Sequence, residues 1–201
     1  MNVEPITLRG EYVRLEPLSL EDHLDGLQEA GAHPEVFRWF PKDRSSPAAM
    51  REFVEEALEA RDRGEALPFA TVQRETDEVI GSTRFGNVAP AHRRVEIGWT
   101  WLTPDHQRTP ANTEAKYLML GHAFEEWGCV RVELKTDSRN RRSMDAIERI
   151  GATEEGTLRR HMRTHQGSRD TVYFSVIEEE WPPVREALER ELARPHAGRD
   201  G

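Results

Sequence analysis

The chain has 201 residues, of which 36% are hydrophobic and 32% charged, and its formal net charge at pH 7 is −9. This length is sufficient for one substantial α/β domain. The acidity disfavours nonspecific binding to nucleic acid or anionic membranes, and it mildly favours cationic partners such as amines.

The only cysteine, Cys129, excludes an internal disulfide and a thiolate zinc cluster, and we expect it to be buried. The sequence contains neither a signal-peptide core nor an apolar run of the roughly 20 residues that span a bilayer. We therefore expect a cytoplasmic protein that engages neither a membrane nor nucleic acid.

The first part of the chain predicts a strand followed by two helices. Glu11–Pro17 alternates apolar and polar residues, as a half-buried strand does. Ser19 is the expected N-cap of a helix that runs to about Ala30. A loop rich in aromatic residues follows at 33–41, and Ser46 is the expected N-cap of a second helix.

The middle of the chain predicts an antiparallel meander, because turn-rich segments separate three strand-like runs. These runs are Leu67–Arg74, Val79–Val88 and Arg94–Leu102. A helix that stops at Gly128 follows, and then a strand over Val130–Thr136. This strand–helix–strand step predicts a parallel pair in a mixed sheet.

The last part predicts a short helix over Asn140–Ile150 and a hairpin formed by Ala152–Arg163 and Arg169–Ile177. We expect one domain over residues 1–181. Residues 182–201 then form a polar helix and a tail that is expected to be disordered.

A polar turn at 104–117 joins the third meander strand to its helix. A helix N-terminus exposes unpaired N–H groups and the positive end of the helix dipole, so it attracts anions. The turn adds side chains that can donate hydrogen bonds to phosphate: Gln107, Arg108, Thr109, Asn112 and Thr113. It contains no glycine, although most phosphate-binding loops do.

Four segments in this order resemble the RimJ/RimL-type branch of the GNAT superfamily of N-acetyltransferases. They are Ile6-Thr-Leu-Arg-Gly-Glu-Tyr-Val-Arg-Leu-Glu-Pro-Leu; Glu96-Ile-Gly-Trp-Thr-Trp-Leu; Val132-Glu-Leu-Lys-Thr-Asp with Asn140-Arg-Arg-Ser143 and Ile150-Gly-Ala; and Glu155-Gly-Thr-Leu-Arg-Arg with Arg169-Asp-Thr-Val-Tyr-Phe-Ser. Together they cover roughly residues 7–181.

The resemblance implies an α/β (α+β) fold with a mixed, mostly antiparallel twisted sheet of about seven strands flanked by helices. It also implies acetyl-CoA as donor and a primary amine as acceptor. We expect no metal, because no thiolate or carboxylate cluster completes a site beside His161 and His165. The strands around 94–102 and 130–136 would splay apart, and the main chain of Thr100, Trp101 and Leu102 would pair with pantetheine.

The polar turn would hold the CoA pyrophosphate, but it departs from the family's glycine-containing pattern. Gln107 matches the first position, whereas Pro110 and Asn112 stand where glycines are usual. Proline lacks an N–H and so removes one phosphate donor. Side chains of the turn, Arg108 and Asn112 among them, are expected to offset that loss.

Glu96 is the first candidate for the base that takes a proton from the amine. Strand alternation predicts that it faces away from Val95, Ile97 and Trp99. The alternative is a structural ion pair with an arginine of the sheet, Arg84 or Arg94.

Ser143 is the candidate for protonating the departing thiolate, and the resemblance assigns Asn140 to positioning the cofactor. The alternative for both is helix capping alone. Glu133 is a weaker candidate for the base, and Tyr173 a weaker one for the acid.

Trp39, Phe40 and Phe85 are expected to line the acceptor pocket. The acceptor itself stays open between a protein N-terminal α-amine and a small-molecule amine. Two other readings also stay open: a CoA-binding protein without turnover, and a structural protein of the same fold. A homodimer formed through an edge strand or the hairpin is a further expectation.

Overall fold

This computed structural model describes residues 1–194, and one mixed sheet forms the centre of that part of the chain. Its eight strands are β1 (Leu8–Arg9), β2 (Val13–Pro17), β3 (Leu67–Gln73), β4 (Val79–Ala89), β5 (Arg94–Leu102), β6 (Arg131–Asp137), β7 (Thr153–Thr164) and β8 (Gly167–Ile177). They lie side by side in the order β1-β2-β3-β4-β5-β6-β8-β7. All neighbours are antiparallel except β5 and β6, which are parallel.

Five α-helices cover the two faces of the sheet: α1 (Leu20–Ala30), α2 (Pro47–Asp62), α3 (Pro110–Gly121), α4 (Arg141–Ile150) and α5 (Trp181–Leu192). Helices α1 and α2 pack on one face, around Phe37, Phe53 and Trp101. Helices α3, α4 and α5 pack on the other, around Phe85 and Phe174. We call these the α1–α2 face and the α3–α4 face.

The element order predicted from the sequence is confirmed, and so are the predicted caps. Ser19 accepts hydrogen bonds from the second and third residues of its helix, and Ser46 accepts one from Ala49. Gly151 ends α4 in the left-handed region, with φ of 101°. These local signals are strong because each cap satisfies N–H or C=O groups that a helix end leaves unpaired.

The structure corrects the sequence prediction in two places. The sheet has an eighth strand, β1, which is only two residues long and therefore gives no periodic signal. The helix expected to continue to Gly128 leaves α-geometry after Gly121 and widens into a π-helical turn at His122–Glu126.

Cys129 is buried, as expected, and burial raises the pKa of its thiol to about 11. No helix within residues 1–194 is long and apolar enough to cross a membrane. The tail expected to be disordered lies mostly in 195–201, outside the described residues.

Glu114 holds the start of α3 against the turn between β1 and β2. Its carboxylate accepts hydrogen bonds from the backbone N–H groups of Glu11, Tyr12 and Val13 at 2.7, 2.8 and 2.8 Å. Gly10 makes this approach feasible, because a Cβ there would lie 2.2 Å from the carboxyl carbon. The position of α3 on the sheet therefore depends on one buried carboxylate.

Replacing Glu114 with alanine should lower the free energy of unfolding by about 3 kcal/mol, because three backbone donors lose a charged acceptor. Glu114→Gln retains one oxygen acceptor and should lose about half as much. Urea unfolding of both variants measures the difference. An unchanged midpoint for Glu114→Ala would show that the turn does not depend on this carboxylate.

Candidate active site

The parallel ladder between β5 and β6 is short, and the site lies where it ends. Pairing runs through Arg94–Arg131, Val95–Val132 and Glu96–Glu133 and then stops, although both strands continue. Beyond Glu96, β5 pairs only with β4, and beyond Glu133, β6 pairs only with β8. The facing main-chain groups of the two strands are thus free to bind a ligand that carries amides.

We call the gap between β5 and β6 beyond Glu96 and Glu133 the opening. A β-bulge in β5 changes which side chains face it. Gly98 lies opposite Arg84 and Trp101 opposite Ser82, so Trp99 and Thr100 together oppose a single residue of β4. Trp99 has φ of 51°, in the left-handed region. The expected alternation is therefore wrong at Trp99, whose side chain turns to the α1–α2 face.

Two strand glycines make room for the groups around the bulge. A Cβ on Gly86 would lie 2.3 Å from the ring of Trp99, and a Cβ on Gly98 would lie 2.9 Å from Oε1 of Glu96. Glycine inside a strand is a signal of such close approach. These two positions could have indicated from the sequence that bulky groups gather here.

Glu96 lies at the last paired position, on the α1–α2 face, and only 2% of its surface is exposed. One oxygen accepts hydrogen bonds from the Asn87 amide at 2.6 Å and from the Lys135 ammonium at 2.8 Å. The arginine partners considered from the sequence are therefore wrong. Lys135 joins β6 to β5 where the strands separate.

Glu133 has a different environment, which weakens its case as a base. Arg94 and Arg131 each donate to its carboxylate at 2.9 Å.

Tyr173 lies opposite Lys135 in the sheet, with its ring 5.7 Å from the Lys135 ammonium. Tyr173 is therefore on the α1–α2 face, near Glu96.

The polar turn leads into α3 as the sequence predicts, and Thr109 is its N-cap. Arg108 is exposed and has φ of 64°, so an arginine occupies a left-handed position that favours glycine. Within the described residues, the backbone N–H groups of Arg108 and Thr109 have no hydrogen-bond partner. The turn thus retains main-chain donors despite Pro110.

Two side chains of the turn are less available to a phosphate than the sequence suggests. Gln107 uses its amide to donate to the carbonyl of Leu102 at 2.9 Å, which closes the turn. Thr113 is only 6% exposed. Asn112 remains partly exposed at the start of α3.

Asn140 and Ser143 lie at the N-terminus of α4, directly after β6. The Asn140 side chain caps the helix by accepting from the Ser143 N–H at 3.2 Å. The Ser143 hydroxyl is partly exposed and has no hydrogen-bond partner in residues 1–194. Because α3 and α4 follow the carboxyl ends of parallel strands, both helix N-termini lie at the same edge of the sheet.

The three aromatic residues predicted for the acceptor pocket separate in the structure. Trp39 is partly exposed and lies between two guanidinium groups, those of Arg38 at 4.9 Å and Arg139 at 5.1 Å from its ring. Phe40 is partly buried and packs edge-on against Phe37. Both belong to the loop beside α2.

The prediction for Phe85 is wrong. Its ring is completely buried on the α3–α4 face, 4.6 Å from the ring of Trp127. It is a core residue, since the strand's pleat points its neighbour Arg84 to the opposite face.

The side chains of Thr100 and Trp101, next to the opening, both make contacts within the protein. Thr100 accepts from the Lys116 ammonium at 2.8 Å, on the α3–α4 face. The Trp101 ring is 96% buried on the other face, packed 5.1 Å from Phe37. The side chains of Thr100 and Trp101 therefore lie on opposite faces of the sheet.

Four cations lie close to the opening: Arg84, Lys116, Lys135 and Arg169. Sequence reasoning considered Arg84 only as a partner of Glu96 and missed the others. All except Lys135 are buried and make no ion pair with a carboxylate among residues 1–194. Lys116 is 4% exposed, and burial lowers the pKa of its ammonium to about 7. A buried position cannot be read from residue type alone, because lysine and arginine are mostly exposed.

No group of three or more histidine, cysteine, aspartate or glutamate side chains within residues 1–194 is arranged to hold a metal ion.

Comparison with protein families identifies the chain. Residues 13–153 match the family described as the acetyltransferase (GNAT) domain. The chain belongs to the GNAT acetyltransferase family. Its fold and enzyme class are thereby those expected from the sequence, an acyltransferase of the N-acetyltransferase type, and members of this family use acetyl-CoA.

Individual relatives agree with the family assignment. An uncharacterized N-acetyltransferase, p20 of Bacillus licheniformis, is 28% identical over 176 residues, which cover 87% of this chain and 98% of p20. The crystal structure of a GCN5-related N-acetyltransferase from Brucella melitensis has a TM-score of 0.88 at 32% identity and covers 94% of this chain and 86% of its own.

A third relative shares the fold at lower sequence identity. The structure of Mycobacterium smegmatis RimJ, in complex with CoA-disulfide, has a TM-score of 0.78 at 22% identity. The match covers 89% of this chain and 88% of that chain. At this identity the likeness concerns the fold.

The low pKa of Lys116 predicts a pH-dependent gain in stability when the lysine is removed. Below pH 7 the ammonium is charged in both the folded and the unfolded acetyltransferase, so folding bears the full cost of burying it. Between pH 7 and the ordinary value of 10.5 the unfolded chain binds the extra proton. Wild-type stability therefore gains about 1.4 kcal/mol per pH unit from this group over that window.

The Lys116→Met variant should be more stable than wild type at pH 7, and its advantage should shrink as pH rises towards 10. Urea unfolding of both proteins at a series of pH values measures the gap. A gap that stays constant from pH 7 to pH 10 would contradict a neutral buried lysine.

Proposed function

We propose that this acetyltransferase moves the acetyl group of acetyl-CoA directly to a primary amine that approaches from the α1–α2 face. The observation that carries the proposal is the end of the β5–β6 ladder after Glu96 and Glu133. Beyond Glu96 the main chain of β5 has no partner in β6, and around Thr100–Leu102 it would pair with the amide groups of pantetheine, although the Leu102 carbonyl already accepts from Gln107. The thioester, lying in that opening, would be accessible from both faces of the sheet.

Glu96 is the proposed proton acceptor. Primary amines are mostly protonated at neutral pH, so a base must act before the nitrogen can attack the thioester. Glu96 lies at the mouth of the opening and on the face proposed for the amine. Its oxygen bonded to Asn87 and Lys135 is held in position, and the other oxygen has no hydrogen-bond partner within residues 1–194.

Ser143 is the proposed donor of the proton that the departing thiolate takes up. It lies in the first turn of α4, on the face opposite Glu96, and its hydroxyl is available for a ligand. Asn140 would position this serine through its cap on the Ser143 N–H. The two proton transfers are thus assigned to opposite faces of the sheet.

The turn before α3 is the proposed pyrophosphate site. The free backbone N–H groups of Arg108 and Thr109, the Arg108 guanidinium and the Asn112 amide supply donors, and the α3 dipole adds a favourable field. Gln107 would shape the turn through its bond to Leu102. These side-chain donors offset the N–H that Pro110 lacks.

The family assignment supports an amine acceptor and leaves its kind open between a protein N-terminal α-amine and a small molecule. The resemblance of the sequence to the RimJ/RimL-type branch favours a protein N-terminus. The measurement that decides is CoA thiol release with a panel of peptides and small amines. No release with any amine, together with a raised melting temperature on adding acetyl-CoA, would favour a binding protein without turnover.

Glu96→Gln should lower kcat by about 100-fold or more, because a general base contributes roughly 10²–10⁴ in rate. The loss should be smaller at high pH, where more of the amine is already neutral. Steady-state rates between pH 6 and pH 9.5 measure both effects. If Glu133→Gln loses the activity and Glu96→Gln keeps it, the base has been assigned to the wrong strand.

Arg108→Ala should weaken acetyl-CoA binding roughly ten-fold, since one charged hydrogen-bond donor is lost. Arg108→Gly provides the matched variant, because it loses the same charge while accepting the left-handed φ without strain. Calorimetric titration should give similar dissociation constants for both. Unchanged affinity in both variants would exclude Arg108 from the phosphate site.

A further inference from the structure

Arg84 is an almost completely buried cation on the α1–α2 face, with 5% of its surface exposed. Its guanidinium lies between two aromatic rings, 4.9 Å from that of Phe53 and 4.8 Å from that of Trp99. Cation–π contact of this kind stabilises a guanidinium but leaves its N–H edge unused. Nε is fully buried and has no hydrogen-bond partner in the described part of the chain.

No carboxylate of residues 1–194 neutralises Arg84. The nearest acidic influence on it is Glu56, and that side chain already receives hydrogen bonds from Arg44 at 2.6 Å and Lys42 at 3.1 Å. Burial without a counter-ion lowers the pKa of Arg84 to about 10. Burying a charge without a counter-ion lowers the stability of a protein, so an anion is expected to bind Arg84.

A second buried donor lies on the same face. Nε1 of Trp101 also lacks a hydrogen-bond partner, and these two nitrogens are the buried side-chain atoms of residues 1–194 that remain unsatisfied. Both are donors, and both come from the paired strands β4 and β5. Buried polar groups are normally satisfied, so two unpaired donors here indicate a ligand that supplies acceptors.

The charges near the opening are positive in excess, although the whole chain is acidic. Arg169 is 7% exposed and donates only to neutral oxygens, those of Thr171 at 3.1 Å and of the Trp39 backbone at 3.4 Å. Lys135 is balanced by Glu96, and Asp137 by Arg139. Arg84 and Arg169 remain without a paired carboxylate.

Arg84 is placed to act on the acceptor rather than on CoA. It lies opposite Gly98, two residues along β5 from Glu96, and its ring partner Trp99 is 6.0 Å from the Lys135 ammonium. The N-termini of α3 and α4, where the cofactor is proposed to bind, belong to the other face. An acceptor whose amine lies beside Glu96 would reach Arg84 past the Trp99 ring, which is 4.8 Å from the Arg84 guanidinium.

We infer that Arg84 binds a carboxylate carried by the amine acceptor, so that the enzyme selects acceptors with an acidic group close to the reacting nitrogen. The inference rests on the proposed function. The planar guanidinium of an arginine carries pairs of parallel N–H donors, which match the two oxygens of a carboxylate. The carboxylate can come from a free amino acid or from an acidic side chain near a peptide N-terminus.

The test compares matched ligands that differ only in this charge. Free amino acids are paired with their amides, and peptides with aspartate at the second position are paired with peptides that have asparagine there. Binding to the protein saturated with CoA, which cannot transfer an acetyl group, is followed by tryptophan fluorescence because Trp99 contacts Arg84. The pair that shows the preference identifies the source of the carboxylate.

We expect wild type to bind the acidic member of one pair at least ten-fold more tightly. Arg84→Met should abolish that preference and leave the affinity for acetyl-CoA unchanged. Arg84→Lys should retain part of it, because the charge remains while the planar edge is lost. Arg94→Met, which removes an arginine already paired with Glu133, should keep the full preference.

Equal binding of both members of every pair by wild type would overturn the inference, and this comparison needs no variant to fold. A preference that survives in Arg84→Met, or a loss confined to acetyl-CoA affinity, would also overturn it. Selective binding of the acidic ligand without any CoA release from acetyl-CoA would leave the inference standing and refute the proposed acetyl transfer.

Discussion

The premature end of the β5–β6 ladder is the constraint on which the rest of the structure depends. A sheet normally satisfies its main-chain groups by continuing to pair, and here two adjacent strands stop after three positions. They can do so because each keeps a full partner on its outer side, β4 for β5 and β8 for β6. The opening is therefore bordered on both sides by continuous strand pairing.

Ion pairs on the α1–α2 face hold the two strands together at the point where they separate. Arg94 and Arg131 both donate to Glu133, and Lys135 donates to Glu96 one step further along. The arrangement places a carboxylate at the mouth of the opening while compensating its charge. A structural ion pair and a catalytic carboxylate are thus compatible in Glu96, since the second oxygen remains available.

Each face of the sheet next to the opening carries a buried cation of a different kind. Lys116, on the α3–α4 face, donates to threonine hydroxyls, and its lowered pKa lets it lose its proton as the pH rises above about 7. Arg84, on the other face, cannot discard its charge in this way at neutral pH. At pH 7 the same desolvation lowers stability for the lysine without requiring a counter-ion, whereas it demands an anion for the arginine.

Local sequence signals predicted the elements, their order and the parallel pair, because strand alternation and helix caps depend on neighbouring residues. The side chains that surround the opening between β5 and β6 were predicted less well. The bulge at Trp99 reverses the alternation that had correctly placed Glu96 and Val95. Phe85 was assigned to the pocket by residue type, whereas the pleat of β4 buries it and turns Arg84 to the site.

At the turn before α3, residue type also failed to predict the backbone conformation. Its lack of glycine suggested a poor phosphate loop, yet the backbone conformation that glycine would supply is present at Arg108. An arginine in the left-handed region costs roughly 1–2 kcal/mol of local strain. An anion bound at the helix N-terminus would offset such a cost through its contact with the arginine charge, so the conformation of Arg108 is compatible with the proposed phosphate site.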